Sequence, residues 1–159
     1  MTTLEGWVHR GYSLLVLAGN SLQSPFLLFV RLYWGWQFCQ TGWGKLHNLP
    51  HVVEFFTSLG IPAPALNAHF VSGLEFLGGI LLAIGLGSRL IALMLAVDMI
   101  VAYVTADRAA FFSIFSKPDD FIAATPFAFL MASLIVLIFG PGRFAVDYLI
   151  GRWWSRRSA

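Results

Sequence analysis

Three ionisable side chains, Arg31, Glu75 and Asp98, stand inside long apolar stretches of this sequence. An arginine or aspartate at the centre of a helix in hydrocarbon costs roughly 2.5–3.5 kcal/mol on insertion scales. Such groups must turn towards the interior of a helix bundle and find partners there, and they mark proton or ligand sites by default. Two acids and one guanidinium leave a surplus negative charge. A proton on one carboxyl balances it, and that carboxyl is then a proton donor. Glu75 and Asp98 are therefore the candidate proton-active acids. The same trio also reads as a structural ion cluster that fixes helix packing.

Around these charges the residues are small or polar at helical spacing. Arg31, Gly35, Phe38, Gly42 and Lys45 follow a 4-3-4-3 spacing and form a single stripe. Ser72, Glu75 and Gly79 share a second face, and Gly79 with Ala83 makes a pair of small residues four apart that allows close helix approach. Arg31, Lys45, Ser72 and Gly79 are the candidate binding residues. His47, His51 and Glu54 superficially resemble a metal site, but Pro50 between the histidines disfavours one continuous helix, so no metal site is assigned. The single cysteine, Cys39, excludes an internal disulfide and a paired-cysteine redox motif and reads as an inert apolar thiol.

The elements that must position these groups follow from composition. The chain has 159 residues, 58% of them hydrophobic and 11% charged, and its mean hydropathy is +0.75. A soluble domain carries about 25% charged residues, so the fitting solvent is a lipid bilayer. Net charge is +2. The basic residues are spread over loops, with one cluster at Arg152, Arg156 and Arg157 that reads as a topology signal rather than a nucleic-acid surface.

Four apolar stretches, residues 25–43, 67–86, 89–105 and 121–139, read as membrane-crossing helices, the third being the shortest. Pro25 suits the start of the first, and Pro126 predicts a kink in the fourth. Gly87-Ser88 is so short a link that the helices it joins must be antiparallel neighbours. The apolar run 14–18 is too short for the core of a cleavable leader, and residues 7–22 read instead as a helix lying in the membrane interface. Val52, Val53, Phe55, Phe56 and Leu59, opposite Glu54, Thr57 and Ser58, predict an amphipathic surface helix ended at Gly60. Residues 106–120 read as a further interfacial segment. The expected fold is all-α: a four-transmembrane-helix bundle over 25–142 with short interfacial helices, preceded by an interfacial helix over 1–24 and followed by a basic, aromatic tail over 143–159.

Counting from the end that carries the 87–88 link, Arg31, Asp98 and Glu75 fall at depths of about 9, 13 and 16 Å. Within the uncertainty of helix ends, that predicts one buried Arg31–Glu75–Asp98 cluster. The side holding Arg10, Arg89, Arg143, Arg152, Arg156 and Arg157 outweighs the side holding Lys45, Arg108 and Lys117. Both termini are therefore expected in the cytoplasm, with the chain in the inner (plasma) membrane of a bacterium.

The pattern Arg31-xxx-Gly35-xx-Phe38-xxx-Gly42-xx-Lys45-Leu46 resembles the opening signature of the DoxX family. Glu75-Phe76-Leu77-Gly78-Gly79 is similar to that family's glutamate-glycine-glycine segment, Asp98 sits in its expected third helix, and Gly140-Pro141-Gly142-Arg143-Phe144 with Asp147 looks like its closing motif. The resemblance implies a four-helix membrane bundle and a membrane subunit of a redox complex. A quinone would be the cofactor, none being built into the chain, and electrons would come from other membrane or peripheral redox subunits. A homo-oligomer is compatible with it. The alternatives are a non-catalytic binding or assembly protein, in which the ion cluster is structural, and a small-solute or proton conductor.

Overall fold

The computed structural model describes the backbone of residues 3–157 and the side chains of residues 7–157. Every regular element described is a helix: α1 (Thr3–His47), α2 (Leu49–Ser58), α3 (Pro64–Ile84), α4 (Ser88–Thr105), α5 (Arg108–Phe112), α6 (Pro118–Ala123), α7 (Thr125–Phe139) and α8 (Val146–Arg157). Three of them are long and apolar enough to cross a membrane, namely α1 over Trp7–His47, α3 and α4; α7 is apolar but only 15 residues long. This is an integral membrane protein.

Two helix boundaries differ from the sequence reading. Pro25 does not begin a helix but lies inside α1, which runs on for 45 residues. Proline in a helix interior removes one ladder hydrogen bond and crowds the carbonyl four residues before it, but its own φ is compatible with the helix, and here α1 continues through it. Pro126 does not kink a long fourth helix. The chain breaks before it, at Ala124 (φ −65°, ψ 138°), and Pro126 occupies the first turn of α7, where its missing N–H costs nothing. The predicted 121–139 helix is thereby divided into α6 and α7.

The short link expected at Gly87-Ser88 is present, displaced towards the N-terminus: it spans residues 85–87, and Ser88 already opens α4. Gly85 (φ +76°) and Gly87 (φ +60°) take left-handed dihedrals between α3 and α4, which return antiparallel. The α1–α3 contact is built on absent side chains. A Cβ on Gly35 would lie 2.7 Å from the Gly79 carbonyl oxygen, one on Gly79 would lie 2.6 Å from the Gly35 oxygen, and one on Gly42 would overlap the backbone of Phe76. Backbone-to-backbone packing of this kind is how helices associate where lipid removes the hydrophobic drive. Opposite this seam, Leu82, Leu95, Met99, Tyr103, Leu130 and Val136 make the buried core between α3, α4 and α7. Phe129 of α7 joins it to α1 through edge contacts with Trp34 and Phe38, at ring-centre distances of 5.1 and 4.7 Å. The Tyr103 hydroxyl donates to the Phe121 carbonyl at 2.7 Å and ties α6 to α4.

Candidate functional site

The bundle brings Lys45, Glu75 and Asp98 together, and not Arg31. Lys45, at the end of the α1 stripe, donates from Nζ to Glu75 Oε1 at 2.6 Å. Glu75 is 2% exposed, held at the α1–α3 seam where Gly42 lets the backbones meet. Asp98 of α4 lies within charge–charge reach of both Glu75 and Lys45. Glu75 Oε2 and Asp98 Oδ2 are both buried and neither has a hydrogen-bond partner among the described residues. The site therefore sets two carboxyls against one ammonium. A proton between the carboxyls turns two facing acceptors into a donor and an acceptor, and a proton so held can be passed to a bound group.

The expected Arg31–Glu75–Asp98 cluster is corrected by this geometry. Arg31 is fully buried at the other end of the bundle, level with the α3–α4 turn. Its Nη2 donates to the Phe144 carbonyl at 2.6 Å, and its charge faces Asp147. The cause is the origin of the depth count: Pro25 does not mark the edge of the bundle, because α1 runs straight through it, and Arg31 itself stands at the level of the α3–α4 turn, so a count from Pro25 puts it about six residues too deep. Along α1, Arg31 and Lys45 are about 21 Å apart. They share a face and not a height.

The remaining candidates take separate places. Ser72 is buried one turn from Glu75 and donates back to the Ala68 carbonyl at 2.6 Å, which occupies its proton. Gly79 belongs to the helix crossing. Cys39 sits beside it, with Sγ 3.5 Å from the Phe76 carbonyl oxygen.

Lys45, Glu75 and Asp98 line a cavity of about 690 Å³. Its other walls are Val52, Phe55, Phe56 and Leu59 of α2 and the chain just after it, Met99 and Ala102 of α4, and Pro126 and Phe129 of α7. His51, Asn67 and Asp107 also border it. The amphipathic α2 was legible in the sequence; its use as a cavity wall was not, because only the return of the chain from α1 into α3 lays it there. An apolar, aromatic-walled chamber of this size with a few convergent polar groups has the character of a small-molecule site.

At the opposite end, Asp147 is the residue whose role the sequence hid. Its two carboxylate oxygens accept the backbone N–H of Gly87 at 2.7 Å and of Ser88 at 2.8 Å, capping α4 from another helix, and its own N–H donates to the Gly85 carbonyl at 2.9 Å. Burial pushes the carboxyl up, but the Ser88 and Gly87 hydrogen bonds and the Arg31 charge outweigh it and hold it below its ordinary value.

Comparison with known proteins places these residues in context. The DoxX family model matches residues 26–108, a span that includes Arg31, Lys45, Glu75 and Asp98 but stops short of the 140–147 motif. A curated relative, named "Putative oxidoreductase CatD" in Bacillus subtilis (strain 168), is 29% identical over 83 residues, which is 52% of this chain and 60% of the relative. The chain thus spans about three-fifths of the length of the curated relative it matches. No solved structure matches the chain.

Proposed function

This chain belongs to the DoxX family, and from that premise we propose that it is the membrane subunit of a redox complex, with a quinone held in the Lys45–Glu75–Asp98 cavity. The observation that supports the reading is a paired-acid floor beneath an apolar, aromatic-walled chamber of about 690 Å³. The residues suit such a group: Phe55, Phe56 and Phe129 offer flat apolar surface to a ring, and the acids and Lys45 offer hydrogen bonds to its oxygens. A quinone, when bound, supplies a two-electron, two-proton acceptor. The chain's own part is to exclude water, orient the ring and hold a proton at Glu75 or Asp98. Lys45 keeps one acid charged while the other carries the proton. The name of the Bacillus relative agrees with a redox role. Electrons would enter from a partner polypeptide, and the excess of arginine at the α3–α4 and α8 end favours both termini in the cytoplasm of an inner-membrane protein.

The test is extraction of the tagged chain from its native membranes in mild detergent, followed by mass spectrometry of everything that co-purifies. A quinone together with a redox polypeptide supports the proposal. Recovery of the bare chain overturns it. A second reading, a non-catalytic assembly protein, draws on the exposed Phe112 and Phe115 around α5, the latter 97% exposed. Glu75→Gln separates the two: lost turnover with normal expression marks a proton site, and lost expression marks a structural one.

A further inference from the structure

The last helix, α8, carries two opposed faces. Leu149, Ile150, Trp153 and Trp154 fall on one side of it, and Tyr148, Arg152, Ser155 and Arg156 fall on the other. Every side chain from Tyr148 to Arg157 is exposed, and the four large apolar ones are 46–68% exposed, so the bundle does not cover this face. The start of α8 is fixed at a membrane surface. The Asp147 N–H donates to the Gly85 carbonyl at 2.9 Å, and the Asp147 carboxylate accepts the N–H groups of Gly87 and Ser88 at 2.7 and 2.8 Å. These residues turn the chain from α3 into α4, two helices long and apolar enough to cross a membrane, so α8 departs from the level at which they leave the lipid. Its 12 residues extend about 18 Å. Lying in the interface, such a helix puts its apolar side chains among acyl chains; standing out in water, it leaves all four wet.

Charge decides what kind of lipid it meets. Asp147 is the one acid of α8, and it is already engaged by the turn and by the Arg31 charge. Arg152, Arg156 and Arg157 follow it, and the exposed Arg89 and Arg143 stand at the start of α4 and just ahead of α8. The Arg157 guanidinium lies 3.7 Å from the Trp153 ring centre, so the charge and the ring reach the interface together. Arginine forks grip phosphate oxygens with paired N–H bonds, and indole rings settle at headgroup depth. We propose that α8 lies in the membrane interface and gathers anionic phospholipids, with Leu149, Ile150, Trp153 and Trp154 at the acyl boundary and Arg152, Arg156 and Arg157 on the headgroup phosphates. A zwitterionic headgroup brings its own cation and leaves these arginines without a net countercharge; an anionic one supplies it. This inference is independent of the quinone reading, which concerns the cavity at the other end of the bundle.

The test uses the full chain carrying Cys39→Ser, reconstituted in bilayers of phosphatidylcholine and phosphatidylglycerol, with one spin label on either face of α8. A label at Ile150→Cys should be reached by oxygen, which concentrates among acyl chains, and shielded from a water-soluble nickel chelate. A label at Ser155→Cys should show the reverse. Ready access of the chelate to Ile150→Cys would put the helix in water and overturn the proposal. Exclusion of both reagents there would mean that a protein surface, a partner or a second copy, covers the face, and overturns it equally. The choice of lipid is read from spin-labelled lipids on the chain without protein labels: phosphatidylglycerol should be restricted in preference to phosphatidylcholine. Arg152→Gln, Arg156→Gln and Arg157→Gln together should lower that preference about twofold or more, because each arginine near an anionic surface contributes about fivefold at its own site and the signal averages over the whole lipid shell. Equal restriction of the two lipids, or a preference untouched in the triple variant, overturns the proposal.

Discussion

At the scale of single residues, charge balance makes opposite demands on neighbours. Removing Asp98 leaves one carboxyl for one ammonium, whereas removing Lys45 leaves two buried carboxyls with no cation. Asp98→Asn is therefore expected to keep or raise the thermal midpoint in detergent. Lys45→Met is expected to cost about 2–3 kcal/mol, below the usual figure for a broken buried pair because Lys45 is 34% exposed. Asp147 acts differently, through backbone. Asp147→Ala strips two N–H groups of their acceptor and should cost about 1–2 kcal/mol, read from thermal unfolding. Because its carboxyl is held below the ordinary value in the fold, its contribution is complete at neutral pH. It fades only as pH falls below the ordinary carboxylate range and through the lower folded value. An acid titration of unfolding, comparing the unaltered chain with Asp147→Ala, should show the difference between them closing at low pH.

At the scale of elements, glycine is needed where α1 and α3 touch, at Gly35, Gly42 and Gly79. Gly42→Ala would drive a methyl into the Phe76 backbone, which cannot swing aside as a flexible side chain would, and overpacking of this kind costs about 1–3 kcal/mol. Gly73→Ala, on α3 with open space around its added methyl, should be neutral or stabilising by about 0.5–1 kcal/mol. Parallel thermal melts of the two variants should move in opposite directions. Equal losses would mean that the α1–α3 seam is looser than its geometry indicates.

At the scale of the whole molecule, α1 is out of proportion to the bundle it serves. Its 45 residues extend about 67 Å, against a hydrocarbon core of about 30 Å. Every side chain from residue 7 to residue 23 is exposed, and Ser24, whose hydroxyl oxygen is 3.4 Å from the Arg143 amide nitrogen, is the first to touch the bundle. Deletion of residues 2–23 should therefore leave the unfolding midpoint of the bundle unchanged. A large drop would show that this segment packs against something the bundle depends on.

The amino-acid sequence by itself determined the solvent and the menu of elements. A chain so poor in charge can satisfy its backbone in lipid by helices or by a closed barrel, its long continuous apolar runs select helices, and Gly87-Ser88 left α3 and α4 no arrangement but an antiparallel return. It also determined faces, because a 3.6-residue period puts Arg31, Gly35, Phe38, Gly42 and Lys45 on one side of α1 whatever surrounds it. It did not determine height. A periodic stripe is unchanged by sliding along its own axis, so the stripe does not say which of its cations meets Glu75: Arg31 was the expected partner, and only the register of α1 on α3 at Gly35–Gly79 and Gly42–Phe76 puts Lys45 there. That register, set by where two backbones can approach most closely, gave Lys45 to the acids and Arg31 to the turn and Asp147. The cavity was likewise beyond sequence, since its walls come from helices far apart in the chain, and only their packing leaves a space between them.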